Sequence, residues 1–195
     1  IAYNVNLNTS NKKLASDIAL DIREAGRAKR DINGTIIRNS KNEIIKVPGS
    51  LKHVKAVGWY LEEHNLTQVS MNLVNYKETP LHKVFEETNN QAQKRGLRVT
   101  GSELVGLIPL SSMLDAGKYF LEKQGQSTGV PNSQLIHIAI KSMGLDEMYK
   151  FEVNNKIIDY KIDDKIKLIN KNVDCFVDEI SMDSPAPGGG SVSAL

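Results

Sequence analysis

Tyr3-Asn4-Val5-Asn6-Leu7-Asn8 and Gln68-Val69-Ser70-Met71-Asn72-Leu73 are the two stretches on which the fold turns. Side chains alternate between the faces of a sheet. Tyr3, Val5 and Leu7 therefore group with Val69, Met71 and Leu73 as one apolar face. Asn4, Asn6 and Asn8 group with Gln68, Ser70 and Asn72 as the other. Asn is a poor strand former, and a merely solvated face more often carries Lys, Glu or Thr. Side-chain amides donate and accept hydrogen bonds without carrying charge. A sheet face lined with them suits a polar heterocycle or a second polar domain.

Working outward, Leu14, Ala15, Ile18, Ala19, Ile22 and Ala25 recur at helical spacing, with Thr9 or Ser10 placed to cap and Gly26 placed to terminate. Residues 27–53 read as a polar insertion holding a small exposed hairpin, Thr35-Ile36-Ile37 and Glu43-Ile44-Ile45 around Asn39–Asn42. Val54–Leu61 and Leu66–Asn75 form a second hairpin. Thr79 as cap and Pro80 at the first helical position open another helix, which Gly96 closes. Leu97–Val105 is a further strand. The order β-α-β-β-α-β predicts an α+β fold, a ferredoxin-like sandwich with extra C-terminal helices. Its usual strand order, 4-1-3-2, makes the two amide-bearing strands central neighbours. Both helices then cover the apolar face and leave the amide face open.

Beyond the fourth strand, Pro109–Lys123 and Pro131–Met143 are predicted helices. Residues 145–170 are poorly periodic and read as a peripheral segment running into a linker, followed by a short helix at Val173–Ile180. The texture then changes to Pro185-Ala186-Pro187-Gly188-Gly189-Gly190-Ser191. The Gly triplet offers backbone amides ahead of a helix, a local build suited to anions. The chain does not open with Met and starts inside a strand-like pattern, so it reads as a piece of something longer.

The 195 residues suffice for one good core, and the 40% apolar and 25% charged composition is ordinary for a soluble globular protein. A net charge of +2 argues against a nucleic-acid binder driven by a general positive field. RNA-binding sheets stack bases on exposed aromatics, whereas Tyr3 lies on the covered face here. No apolar run approaches the roughly 18 residues of a spanning helix. The single Cys175 cannot close an internal disulfide, which fits a reducing cytoplasmic setting. His53, His64 and His137 have no acid or nucleophile at telling spacing. No metal is expected.

Four stretches in order resemble the glutamate formiminotransferase family, in its bifunctional form with a cyclodeaminase. They are Val57-Gly58-Trp59-Tyr60-Leu61, Gln68–Leu73, Gly101-Ser102-Glu103-Leu104-Val105-Gly106-Leu107-Ile108-Pro109-Leu110, and Pro187-Gly188-Gly189-Gly190-Ser191-Val192. The resemblance implies that residues 1–160 are the C-terminal transferase subdomain, with the insertion at 27–53. Residues 161–195 would be a linker and the truncated start of the cyclodeaminase domain. It further implies transfer of a formimino group from N-formiminoglutamate to tetrahydrofolate in histidine degradation, with folate held between two subdomains. The partner N-terminal subdomain would carry the catalytic histidine, and His82 is not its equivalent. The expected complete protein is a cytoplasmic homo-oligomer, and this chain alone is expected to be inactive.

On this reading Asn6, Gln68 and Asn72 line the folate side of the cleft, with Asn4 and Ser70 in support. Hydrogen bonding to the other subdomain is the alternative role for the same groups. Arg23, Lys55 and Arg98, near strand ends, are candidates to steer acidic substrates. Alternation groups Glu103 with Val99 and Gly101 on the covered face, as a buried paired carboxylate or a salt bridge at the strand end. The competing function is a non-catalytic ferredoxin-like assembly module that uses its open sheet face for a protein partner.

Overall fold

A computed structural model describes residues 1–163. Its elements are β1 (Ala2–Leu7), α1 (Lys12–Ile22), the short β2 (Arg27–Ala28) and β3 (Lys46–Val47), β4 (Val54–Leu61), β5 (Leu66–Leu73), α2 (Leu81–Gln93), β6 (Val99–Val105), α3 (Leu110–Lys123), α4 (Asn132–Met143), α5 (Val153–Lys156) and α6 (Ile158–Asp163). The fold is α+β. The main sheet is antiparallel, in the order β4-β5-β1-β6, and the two amide-bearing strands β1 and β5 are its central pair. Val173–Ile180 and the Gly188–Gly190 loop lie outside the described residues.

Register explains why one face is buried. Tyr3 pairs with Met71, Val5 with Val69 and Leu7 with Thr67, so their side chains converge on the face covered by α1 and α2. All six residues of the expected apolar set are buried there. Each fully buried Leu, Val or Met side chain contributes about 1.5–3 kcal/mol. Tyr3 carries its hydroxyl into this core beside Ser102, and burial pushes its pKa well above the usual phenol value. Ser102 in turn donates to the carbonyl of Met143 at 2.7 Å, tying β6 to the end of α4.

Three local expectations change. Asn11, not Thr9 or Ser10, caps α1, its side-chain oxygen accepting from the Lys13 amide. Thr9 instead accepts from the Asn11 amide and so holds the cap in place. Thr79 does not cap α2: its hydroxyl donates to the Lys52 carbonyl, and Pro80 stands at the cap position. The segment after α4 is not peripheral. Leu145, Phe151 and Ile157 are buried in the core, and Ile108 and Ile157 form a parallel bridge. Their apolar positions are too widely spaced to show a period, yet all three join the buried core.

Between β2 and β3 the chain forms an arm of two successive turns. Its expected hairpin is present, with Arg38 bridged to Ile44, and a second turn precedes it, with Arg30 bridged to Ile36. The two share a repeat: Arg30 donates to Gly34 O and Arg38 to Asn42 O, while the Asp31 and Asn39 side chains each accept two backbone amides. That repeat of eight residues is readable in the sequence once its turns are known.

On the helical side, His82 stacks on Tyr119, with ring centroids 4.3 Å apart and planes 15° apart. Its buried Nδ1 has no partner among the described residues. Burial holds its pKa below the ordinary value, with Lys83 acting the same way; Asp115, Glu86 and Glu122 pull it back up. The unfolded chain therefore takes up a proton near pH 6.5 that the folded chain refuses. Stability is full above that pH and declines as pH falls toward the folded pKa. Between about pH 7.5 and about pH 5.5 the wild-type melting temperature should fall more steeply than that of His82→Gln. Parallel curves would show that His82 does not contribute.

Candidate functional site

Residues paired across an antiparallel sheet present their side chains on the same face. The register therefore sorts the second face into three rows. One runs Trp59, Gln68, Asn6, Gly101. The next runs Val57, Ser70, Asn4, Glu103. The last runs Lys55, Asn72, Ala2, Val105. The structure thus brings Asn4, Asn6, Gln68, Ser70 and Asn72 onto one surface, as the alternation predicted.

That surface is only partly open, contrary to expectation. Asn6 is 1% and Gln68 2% exposed, Asn4 and Ser70 are half-buried, and Asn72 is exposed. The cause is the segment after α4, which crosses from the β6 edge onto the sheet. Its Gly144 carbonyl accepts from the Ser102 amide at 2.9 Å, Met148 Sδ lies 3.9 Å from Gln68 Nε2, and Tyr149 Oη is 3.1 Å from His64 Nε2. Gly101 makes the crossing possible. A Cβ there would stand 2.7 Å from Glu147 Cγ and 3.0 Å from Gly144 O.

Beneath this cover the amides bond to one another. Gln68 Nε2 donates to Asn6 Oδ1 at 2.9 Å and, at a longer 3.4 Å, to Glu103 Oε2. Asn4 Nδ2 donates to the same carboxylate oxygen, also at 3.4 Å. Glu103 therefore belongs to the amide face, opposite to expectation. A bulge is responsible: β1 and β6 shift register between Asn6, paired with Gly101, and Leu7, paired with Val99. The extra residue in β6 sends Val99 to the covered face while Gly101 and Glu103 stay with the amides. Alternation counted straight through 99, 101 and 103 misses it.

Sequence reasoning also passed over Trp59 and Val57, 54% and 55% exposed on this face. Their alternation alone does not say which side they take; pairing with Gln68 and Ser70 does. Of the candidate steering cations, Lys55 is exposed in the row of Asn72. Arg23 is tied to the Gly26 carbonyl at 2.9 Å, although it lines, with Lys55 and Val57, a groove of about 440 Å³ at the β4 edge. Arg98 is exposed near the start of β6, its amide donating to Asn8 Oδ1. Among the described residues no three His, Cys, Asp or Glu side chains are grouped to hold a metal ion, and no helix is long and apolar enough to cross a membrane.

These features define an α+β domain whose sheet offers a polar, amide-rich surface with an aromatic at its rim. Residues 2–163 match the family model described as the formiminotransferase domain, and the chain belongs to that family. It is 40% identical to the formimidoyltransferase-cyclodeaminase of Dictyostelium discoideum over 199 residues, covering all of this chain and 34% of that protein. The same enzyme from Sus scrofa is 40% identical over 197 residues, again across the whole chain and 33% of the relative. The glutamate formimidoyltransferase of Thermoplasma acidophilum is 36% identical over 129 residues, 66% of this chain and 35% of that protein. The chain thus spans about a third of the length of the relatives it matches.

Proposed function

We propose that this chain is the folate-binding part of a glutamate formimidoyltransferase, which moves a formimino group from N-formiminoglutamate to tetrahydrofolate in histidine degradation. The observation that carries the reading is the amide face of β1 and β5 in a chain of this family. A pterin edge alternates donors and acceptors, and uncharged amides pair with both. Asn72 and Ser70 offer their polar groups outward, while Asn6 and Gln68 fix the wall from beneath Met148. Trp59 supplies a flat apolar surface at one end, and Lys55 favours an acidic tail. We read the βαββαβ order as a ferredoxin-like build. The partners are an N-terminal transferase subdomain that closes the cleft and carries the catalytic histidine, and further copies in a cytoplasmic homo-oligomer.

Exposed Val57 and Trp59 favour a second reading, an assembly module that meets a protein partner through this face without binding folate. Calorimetric titration with a tetrahydrofolate analogue separates the two, run on this chain with and without the N-terminal transferase subdomain. Binding only when both are present supports the cleft; a folded mixture that associates but binds no folate supports the module. In the complete enzyme, Asn72→Ala should weaken folate binding more than threefold, since a lost hydrogen bond costs about 1 kcal/mol. Gln68→Ala should do the same by releasing Asn6 and Glu103 from their positions in the wall. The chain alone should show no formimino transfer, and turnover by it would overturn the assignment of catalysis to the other subdomain.

A further inference from the structure

Glu103 is the carboxylate among the strand residues of the polar face, and its surroundings are unusual. Two amide donors, Asn4 Nδ2 and Gln68 Nε2, reach the same oxygen, Oε2, both at the long distance of 3.4 Å. No cation lies within salt-bridge distance of it among the described residues. A carboxylate has about four lone-pair sites, so the Oε1 side is unused. A cavity of about 40 Å³ adjoins it, walled by Leu145, Met148 and Phe151. The two lysines of that wall are engaged elsewhere: Lys156 donates to the Leu104 carbonyl at 3.0 Å, and Lys150 pairs with Glu152 at 2.6 Å. So small a volume admits only the N–H edge of a ligand, whose remainder must lie outside the cavity.

We propose that Glu103 forms a subsite for a planar pair of N–H donors of amidine type. The inference rests on the folate-wall reading above. A carboxylate meets two parallel N–H groups in bidentate fashion, and such charge-assisted pairs are about twice as strong as neutral ones. One N–H goes to the free Oε1 and the other to Oε2, in place of one of its two long 3.4 Å amide bonds. Two groups of the proposed reaction carry this pattern. The formimino donor is a formamidine, a base strong enough to be a cation near neutral pH, and its N–C–N unit is planar. The pterin presents a ring N–H beside an exocyclic amino group. The amide pair from Asn4 and Gln68 fixes the orientation of the carboxylate. With Lys156 held by the Leu104 carbonyl and Lys150 by Glu152, Glu103 is the strand carboxylate left to select for this pattern.

The test uses the complete enzyme with Glu103→Gln, close in shape, and Glu103→Ala. Wild-type folate affinity and turnover are measured first; if either is absent the folate-wall reading fails, whatever Glu103 does. With both present, KM for N-formiminoglutamate rising tenfold or more in Glu103→Ala, with folate affinity unchanged, assigns the subsite to the formamidine. In that case formamidinium chloride should inhibit the wild type competitively and lose that inhibition in Glu103→Gln. A tenfold loss of folate affinity with KM unchanged assigns the subsite to the pterin edge. Both quantities staying within threefold in two variants that melt near the wild-type temperature overturns the proposal.

Discussion

A Gly58→Ala variant is expected to lose about 3 kcal/mol of stability or more, and to melt well below the wild type. Gly58 lies in β4, where α1 crosses the sheet. A Cβ at this position would stand 2.3 Å from Ser16 N, 2.4 Å from Ser16 Oγ and 2.6 Å from Ser16 Cα. A side-chain tip could swing away, but two of these three atoms are backbone, so the helix itself must move. Moving α1 opens the contact of Ala15, Ile18, Ala19 and Ile22 with the core, all of which are buried. Truncating the neighbour in Ser16→Gly should therefore rescue little. Urea unfolding measures the loss, with Gly129→Ala as the control: its Cβ would meet only Ser127 Oγ, at 3.5 Å, and its cost should stay below about 1 kcal/mol. Equal stability of the two variants would show that α1 is not seated on β4 as described.

The second large effect is expected at the buried amide pair. Gln68→Leu keeps most of the volume but strands Asn6 Oδ1 and takes one donor from Glu103. An unsatisfied buried polar group costs about 1–3 kcal/mol, so a loss of about 2 kcal/mol is expected, and Asn6→Leu should match it. Replacing both partners by apolar groups removes the orphan and can be nearly neutral. The double variant should therefore be more stable than the sum of the single losses predicts, with a coupling of about 1 kcal/mol or more. Strict additivity would sink the pair as an energetic unit. In the complete enzyme the same double variant separates scaffold from ligand contact: a stable protein that no longer binds folate means that the amides act on the ligand.

How far the sequence could be read depended on the range of the interactions involved. The alternation in Tyr3–Asn8 and Gln68–Leu73 needs only local geometry and gives the two faces of β1 and β5 correctly; their central pairing follows from the βαββαβ order. The start of α2 differs by a residue because the hydroxyl of Thr79 finds a carbonyl 27 residues earlier, at Lys52, and the cap of α1 differs because Thr9 accepts from the Asn11 amide instead of capping. The covering of Asn6 and Gln68 was not legible: it depends on Met148, 80 residues from Gln68, and on Gly101, whose missing side chain leaves room for the crossing segment. Glu103 was assigned to the wrong face because a bulge has no signature of its own in residues 97–105.

By itself the sequence determined the βαββαβ order, the two faces of β1 and β5 and the family, since each is carried by local periodicity or by motifs in fixed order. Only the tertiary structure decided which of the polar residues meet solvent. It placed Trp59 and Glu103 beside the amides, buried Asn6 and Gln68, and left Asn72 and Lys55 in the open. Strand register and the path of a crossing segment are set by contacts between residues far apart in the chain, and no local pattern records them.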